Sequence, residues 1–259
     1  MTRAIILAAG QGSRLMPLTK DKPKCLVPIM GKSMLRRQLD VLEAADVTDI
    51  HIVTGYKAAQ LEATGYPCTH NEDFEVTNMV ETLFTALPFI EKKGDLIIAY
   101  GDIIYQPNNL AALLSCDGDM SLMIDKGWRA LWELRLEDPL SDAETLLLDE
   151  NNYVTELGKK PSNYDQVQGQ YTGLIKIKAA KIPDFIAFYK NLDRDAIYDG
   201  KDFRNMYMTS FIQALINSGW AVKAALVNNG WLEVDTKDDL DAYEEMERDG
   251  KLKNYCILS

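Results

Sequence analysis

Glycines and cations cluster in the first 32 residues of the chain, in a spacing suited to holding phosphate groups. An apolar run ends just before Gly10, Gly12 follows it, and Arg14 and Lys24 come close behind. Glycines let a backbone approach a phosphate and turn its N–H groups toward the oxygens. Arginine and lysine add full positive charge to the backbone dipoles. The stretch therefore predicts a site for the phosphates of a nucleotide.

Two commoner phosphate-binding motifs do not fit this stretch. A dinucleotide fingerprint needs Gly-x-Gly-x-x-Gly at the start of a helix, but Leu15 stands at its third glycine position and Pro17 would soon end a helix. A P-loop needs a glycine five positions before Gly-Lys-Ser, and that position before Gly31 is Leu26. The remaining alternative to a nucleotide site is an ordinary strand followed by a surface loop.

Carboxylates at the ends of two other apolar segments could hold a divalent cation. Gly101 and Asp102 directly follow the strand predicted at 96–100. Glu233 and Asp235 fall on one face of a strand predicted at 231–234. Hard cations prefer carboxylate oxygens. A turn aspartate at 102 and a helix N-cap at 235 are the alternative interpretations.

Strands alternate with helices along the first half of the chain. Strands are predicted at 4–9, 50–54, 67–70, 96–100 and 120–125, and helices at 34–45, 58–63, 78–87 and 110–114. This alternation predicts right-handed βαβ units and a mostly parallel sheet. Because such sheets bind ligands at the carboxyl ends of their strands, we expect Gly10, Gly55, Asp102 and Asp235 along one edge.

The second half has a different pattern, typical of a mixed α+β region. Alternation of apolar and polar residues predicts strands at 131–136, 145–148, 153–157 and 171–178, followed by helices at 179–189 and 203–217, strands at 221–227 and 231–234, and an acidic helix at 238–247. We therefore predict an α/β fold with a Rossmann-like, mostly parallel (mixed) sheet flanked by helices and an inserted or appended α+β part. We expect one domain, 1–259, with a nucleotide-binding half at 1–125 and an acceptor-binding half at 126–259.

Composition limits the partners of this protein. A chain of 259 residues with 47% hydrophobic residues can bury a sizeable core. The net charge of −11 argues against a nucleic-acid partner. The four cysteines are scattered without a Cys-x-x-Cys pair, and no apolar run is long enough to span a membrane. We expect a cytoplasmic protein that does not bind membranes, and the sequence leaves room for a homodimer.

The opening stretch resembles the signature of nucleotidyltransferases that join a nucleoside triphosphate to a phosphorylated small molecule. Their pattern reads Leu-Ala-Ala-Gly-x-Gly-x-Arg-Leu-x-Pro-Leu-Thr and then Pro-Lys, and residues 7–19 and 23–24 match every fixed position. The resemblance implies that Asp102 and Asp235 bind Mg²⁺, with Glu233 as a third candidate. It also implies that an acceptor phosphate or phosphonate oxygen attacks the α-phosphorus and that pyrophosphate leaves.

The same resemblance assigns roles around the nucleotide. It implies that Arg14 and Lys24 are catalytic, with Arg14 on the β- and γ-phosphates and Lys24 on the α-phosphate or the incoming anion. Nucleotide contacts are expected from Leu7, Ala8, Ala9, Gly10, Gln11, Gly12, Ser13, Arg14, Lys24, Gly55, Tyr56, Asn78, Met79 and Gly101.

One departure from the family pattern bears on the acceptor. The sugar-1-phosphate branch usually carries Glu-Lys-Pro between its halves, whereas this chain has Lys159-Lys160-Pro161. A lysine cannot accept hydrogen bonds from sugar hydroxyls. With Pro-Lys-Cys-Leu-Val at 23–27 and the Asn78-Met79 segment, the chain looks more like the cytidylyltransferases that activate phosphocholine or 2-aminoethylphosphonate. CTP is therefore the expected nucleotide.

Aromatic and polar side chains of the second half are candidates for holding the acceptor. Rings could frame a cationic head group. Acceptor contacts are expected from Trp128, Lys160, Gln170, Tyr171 and Trp231, with Asp142 and Glu144 as further candidates for an amine or amino-acid acceptor. The product would serve cell-surface polymer biosynthesis or phospholipid decoration. The alternatives are a hexose-1-phosphate nucleotidyltransferase that uses UTP or dTTP, and a non-catalytic nucleotide-binding regulatory subunit.

Overall fold

A seven-stranded mixed sheet is the centre of the structure, a computed structural model that describes residues 1–258. The strands, in chain order, are β1 (Thr2–Ala8), β2 (Pro28–Ile29), β3 (Lys32–Ser33), β4 (Asp49–Thr54), β5 (Cys68–His70), β6 (Asp95–Tyr100), β7 (Ile103–Tyr105), β8 (Met120–Asp125), β9 (Leu146–Leu148), β10 (Val154–Leu157), β11 (Gln170–Ile177), β12 (Val222–Val227) and β13 (Trp231–Glu233). The large sheet has the order β12-β8-β11-β6-β1-β4-β5. Strand β11 is antiparallel to β6 and β8, and the other neighbours are parallel. The predicted fold class is confirmed.

Helices cover both faces of this sheet. They are α1 (Met34–Ala44), α2 (Ala58–Glu62), α3 (Met79–Thr85), α4 (Leu87–Ile90), α5 (Pro107–Ser115), α6 (Trp128–Arg135), α7 (Ile182–Asn191), α8 (Met208–Asn217) and α9 (Lys237–Arg248). Side chains of α1, α5, α6 and α9 belong to the core on one face, and side chains of α3, α4, α7 and α8 belong to the core on the other. None of the helices found in residues 1–258 is long and apolar enough to cross a membrane.

Strand β1 shows why the opening run is almost entirely apolar. Ala4, Ile6 and Ala8 pack into one core, while Ile5 and Leu7 pack into the other. A strand that is buried on both faces carries apolar side chains on both, so apolar and polar residues do not alternate along it. The strand brings the following glycine loop to the carboxyl edge of the sheet.

The strand predicted at 131–136 is wrong, because this segment belongs to helix α6. Trp128, Leu131, Trp132 and Arg135 follow the helical spacing of three and four residues, and the first three are buried. The alternation of apolar and polar residues over six positions is short enough to arise inside an amphipathic helix. The correction matters because α6 carries Arg135 to the candidate site.

The helix predicted at 78–87 is also shorter than expected. Helix α3 ends at Thr85, and Pro88 lies in the first turn of α4 rather than at the end of a helix. Proline is tolerated in a first turn, where its missing N–H has no intrahelical partner to lose. The predicted N-cap is confirmed, since the Asn78 side chain accepts a hydrogen bond from the N–H of Met79 at 2.7 Å.

Candidate active site

Three carboxylates meet at the carboxyl edge of the sheet. Asp102 follows β6, and the antiparallel pairing of β13 with β7 places Glu233 opposite Ile103. The N–H of Val234 also donates to the Asp102 carbonyl at 3.3 Å. As a result, one ligand oxygen each from Asp102, Glu233 and Asp235 lie within 4.8 Å of one another.

Gly101 lets the chain pass close to β1 just before Asp102. A Cβ at this position would lie 2.7 Å from the carbonyl oxygen of Leu7, too close for any side chain. The Gly101 N–H donates to that same oxygen at 2.9 Å. This close approach fixes where Asp102 leaves the sheet.

Lys24 lies between two of these carboxylates. Its Nζ is 2.7 Å from Asp102 Oδ2 and 2.5 Å from Asp235 Oδ1, and Arg14 Nη2 is 3.3 Å from Asp235 Oδ1. Burial would lower the pKa of Lys24, but the charges of Asp102, Asp235 and Glu233 outweigh burial and raise that pKa. Burial and the neighbouring carboxylates raise the pKa of Glu233. The cluster therefore stabilises positive charge placed among its oxygens.

Gly12 makes room for Lys24. Its φ of 69° lies in the left-handed region, and a Cβ there would be 2.8 Å from the Cβ of Lys24. The hydroxyl of Thr19 donates to the Gly12 carbonyl at 2.9 Å and holds the turn closed. The glycine is thus required both by the backbone angle and by the lysine stem.

The carboxylate cluster fits a divalent cation. Asp102 Oδ1 is buried and has no hydrogen-bond partner among residues 1–258. The ammonium of Lys24 shows that a cation is stabilised between Asp102 and Asp235. Oxygen ligands of this kind suit Mg²⁺.

Arg135 is a site residue that the sequence analysis missed. Its side chain is 4% exposed, and its Nε donates to Asp239 Oδ1 at 2.8 Å, while its Nη1 lies 3.4 Å from Glu233.

Asp239 forms a capping box with Thr236, so Thr236 is the N-cap of α9 and the alternative N-cap at Asp235 is wrong. The Thr-x-x-Asp spacing could have revealed this cap.

A cavity of about 160 Å³ lies beside the glycine loop and reaches Asp102. Among the predicted nucleotide-binding residues, its lining includes Leu7, Ala8, Ala9, Gly10, Lys24, Asn78, Met79 and Gly101. Cys25, Phe74, Thr77 and Thr82 also line it and were not predicted. Gln11, Gly12, Ser13 and Arg14 lie in the adjoining loop and outside this lining.

Gly55 and Tyr56 lie outside the lining of this cavity and support the loop instead. The Tyr56 N–H donates to the carbonyl of Ala9 at 2.9 Å, and its hydroxyl donates to the carbonyl of Lys20 at 2.6 Å. These bonds tie both ends of the glycine loop to the segment that follows β4.

A second cavity of about 240 Å³ adjoins the first and shares Asn78 and Met79 with it. Its lining consists of Arg14, Asn78, Met79, Tyr100, Trp132, Asp142, Glu144, Gln170, Tyr171, Thr172, Gly173, Tyr207, Met208, Thr209, Trp231, Glu233 and Asp235. Since Asp102 lines the first cavity and Glu233 and Asp235 line the second, the carboxylates stand where the cavities meet. The arrangement can bring two anionic ligands together at one cation site.

Three of the five predicted acceptor-binding residues line the second cavity, namely Gln170, Tyr171 and Trp231. Trp128, expected to contact the acceptor, instead lies in the core: it is 4% exposed, packs edge-on against Trp132 and lines neither cavity. Lys160 lies outside both linings and its Nζ donates to backbone carbonyls of the loop that follows α6.

Comparison with known proteins shows the family. The family model of the MobA-like NTP transferase domain matches residues 4–133. Over 251 residues the chain is 44% identical to the CTP:phosphoglutamine cytidylyltransferase of Campylobacter jejuni subsp. jejuni serotype O:2, an alignment that covers 93% of this chain and 99% of that protein. The chain belongs to the MobA-like NTP transferase family. The predicted enzyme class, a nucleotidyltransferase, is confirmed by this membership.

Solved structures show the same fold in other nucleotidyltransferases. The inositol-1-phosphate CTP transferase from T. maritima has a TM-score of 0.73 at 19% identity and covers 99% of this chain and 98% of its own. The CTP:phosphocholine cytidylyltransferase from Streptococcus pneumoniae has a TM-score of 0.70 at 19% identity and covers 95% of this chain and 99% of its own. The fold is therefore shared with these two structures over at least 95% of this chain.

Proposed function

We propose that this nucleotidyltransferase is a Mg²⁺-dependent cytidylyltransferase that couples CTP to a small phosphorylated acceptor that carries an amine, with phosphoglutamine as the first choice. The near-full-length identity of 44% to a CTP:phosphoglutamine cytidylyltransferase carries the choice of both substrates. Two adjoining cavities that meet at the carboxylate cluster support a reaction between two bound substrates.

The reaction requires charge neutralisation more than proton transfer. An oxygen of the acceptor phosphate forms a bond to the α-phosphorus of CTP, and the bond from that phosphorus to the β-phosphate oxygen breaks, so that pyrophosphate leaves. The nucleophile is already an anion and needs no general base. The protein must bring two anions together and offset the charge that develops. Lys24 and Arg14 are the residues proposed to supply that positive charge, and their contacts with Asp235 support the proposal.

Asp102 and Asp235 are the proposed Mg²⁺ ligands, with Glu233 beside them. A bound Mg²⁺ would offset phosphate charge and orient phosphate oxygens. In the free protein Lys24 balances the two aspartates, and its flexible stem allows the ammonium to turn toward a phosphate instead. We assign Lys24 to the α-phosphate or acceptor anion and Arg14 to the β- and γ-phosphates.

Pyrophosphate release tests this function directly. The panel combines CTP, UTP and dTTP with phosphoglutamine, phosphocholine, 2-aminoethylphosphonate and glucose 1-phosphate, each with and without Mg²⁺. We expect the highest kcat/KM for CTP with an amine-bearing acceptor and no turnover without the metal. Faster turnover of UTP or dTTP with glucose 1-phosphate would favour the hexose-1-phosphate alternative. CTP binding without any turnover would favour a regulatory subunit. A homodimer, a cytoplasmic location and a role in cell-surface polymer synthesis stay predictions.

A further inference from the structure

An acidic loop, residues 138–144, forms one wall of the second cavity. Two of its carboxylates, Asp142 and Glu144, line the cavity. Within residues 1–258 neither of them forms an ion pair, although Arg14 lines the same cavity. This wall therefore presents negative charge that the protein itself does not neutralise.

Glu144 is the more buried of the two carboxyl groups. Burial, together with the nearby charges of Asp142 and Asp199, raises the pKa of Glu144 to about 7. A carboxylate is unfavourable in such a place unless a cation or donor compensates it. The chain nevertheless carries glutamate here, and a ligand with a positive charge would remove the penalty.

The acidic loop is held in place from both ends. Gln170 donates from Nε2 to the Glu144 carbonyl at 2.8 Å and accepts at Oε1 from the Glu144 N–H at 3.4 Å. Lys160 donates to the carbonyls of Leu140 and Ser141 at 2.6 and 2.5 Å. Gln170 and Lys160, two of the five predicted acceptor-binding residues, thus bond to the loop backbone and fix the carboxylates relative to the cavity.

Aromatic side chains also line the cavity. Trp132 and Trp231 stack with ring centroids 5.6 Å apart, and Tyr171 lines the cavity beside them. The two indoles are 3% and 2% exposed, and within the described chain their Nε1–H groups have no acceptor. Rings and unpaired donors do not suit a hydrated metal ion, which needs a shell of oxygens, but they suit an organic cation that also carries oxygen acceptors.

We propose that Glu144, assisted by Asp142, binds the ammonium group of the acceptor, and that Gln170 and Lys160 position the loop that carries them. The inference rests on the proposed function, because it assigns one end of the acceptor while the phosphate end lies toward Glu233 and Asp235. It predicts that the enzyme selects its acceptor by the α-ammonium group of an amino acid, or by an equivalent amine, rather than by the phosphate alone.

The test compares phosphoglutamine with its deamino analogue, which keeps the phosphate and the chain but lacks the ammonium group. The measured quantity is the ratio of kcat/KM for the two acceptors at saturating CTP. In Glu144→Gln we expect this ratio to fall by about tenfold or more, because a charged hydrogen-bond partner is lost. The fall should come from a higher KM for phosphoglutamine. Gln170→Met should lower the same ratio by a smaller factor, and Glu144→Asp should restore part of the loss.

A matched control is Glu137→Gln, which removes an exposed carboxylate just before the acidic loop and should leave the ratio unchanged. If Glu144→Gln lowers kcat/KM equally for both acceptors, the residue is merely structural and the inference is wrong. Calorimetric binding of each acceptor to the CTP-bound protein separates the two proposals. Weaker phosphoglutamine binding in Glu144→Gln without turnover in any variant would overturn the proposed function alone. Equal binding of both acceptors by the wild type would overturn this inference alone.

Discussion

Lys24 balances the charge of the site in the free protein. Its ammonium bridges Asp102 and Asp235 and is held by both. A divalent cation bound as proposed would therefore compete with the lysine for the same carboxylate oxygens. Nucleotide phosphates would relieve this competition, because they offer the ammonium another anion.

Lys24→Gln should raise the affinity of the free protein for Mn²⁺ and lower turnover with Mg²⁺ by roughly 100-fold. The first effect follows because a neutral amide no longer competes for Asp102 and Asp235, and the second because a cation is missing at the reacting phosphate. Mn²⁺ binding followed by electron paramagnetic resonance, without nucleotide, measures the first effect. The exposed Lys57→Gln is the control. Unchanged Mn²⁺ affinity would show that Lys24 does not occupy the cation position.

Glu144 should make the free protein less stable at high pH. Its pKa of about 7 exceeds the ordinary value of 4.5, so the folded state holds the proton more tightly than the unfolded state. Stability is therefore lost as the pH rises between these two values. Asp142, Asp199 and the phenols of Tyr100 and Tyr171 face this carboxyl group and do not compensate its charge.

Glu144→Gln should consequently be more stable than the wild type at pH 8. Each pH unit between the two pKa values is worth about 1.4 kcal/mol, so the gain should reach on the order of 3 kcal/mol. It should shrink toward pH 5, where the folded wild type keeps its proton. Urea unfolding at both pH values measures it. A gain that is the same at pH 5 and pH 8 would mean that ionisation is not its source.

At the scale of elements, the glycine loop positions Lys24. Gly12→Ala should lower stability by about 1–2 kcal/mol, because an alanine is strained at this positive φ. It should also lower kcat, since the new Cβ would displace the stem of Lys24. Gly65→Ala is the matched control, with a φ of +84° and nothing within 4 Å of its Cβ. Equal kcat values in the two variants would show that Gly12 does not affect turnover through the position of Lys24.

The elements also show how far the sequence could predict the site. The apolar run of β1 and the carboxylate after β6 are local signals, so the sequence predicts that the glycine loop and Asp102 lie at the ends of these strands. Arg135 was missed because a short alternation concealed the helical spacing of α6. The bond from Gln170 to Glu144 joins residues 26 positions apart across a loop, and no local pattern specifies such a contact. The burial of Trp128 in the core likewise depends on packing between residues that are distant in sequence, so no local pattern predicted it.

At the scale of the whole molecule, the two predicted halves share one sheet. Strand β11 belongs to the acceptor-binding half and lies between β6 and β8 of the nucleotide-binding half. Strand β8 pairs with β11 and β12, which both come after residue 125. The halves are therefore joined through backbone hydrogen bonds and not only through side chains.

A fragment of residues 1–125 should consequently fail to fold alone. It would leave β8 without a neighbouring strand and expose one edge of β6, whose residues Leu96–Ala99 are 0% exposed in the whole chain. Unpaired strand edges and exposed apolar surface are unfavourable in water. We expect the fragment to lack a cooperative urea transition by circular dichroism, while the full chain unfolds in one transition that tryptophan fluorescence and circular dichroism report at the same midpoint. Two separate transitions in the full chain, or a folded fragment that binds CTP, would show that the halves are independent units and that the acceptor half can move relative to the nucleotide site.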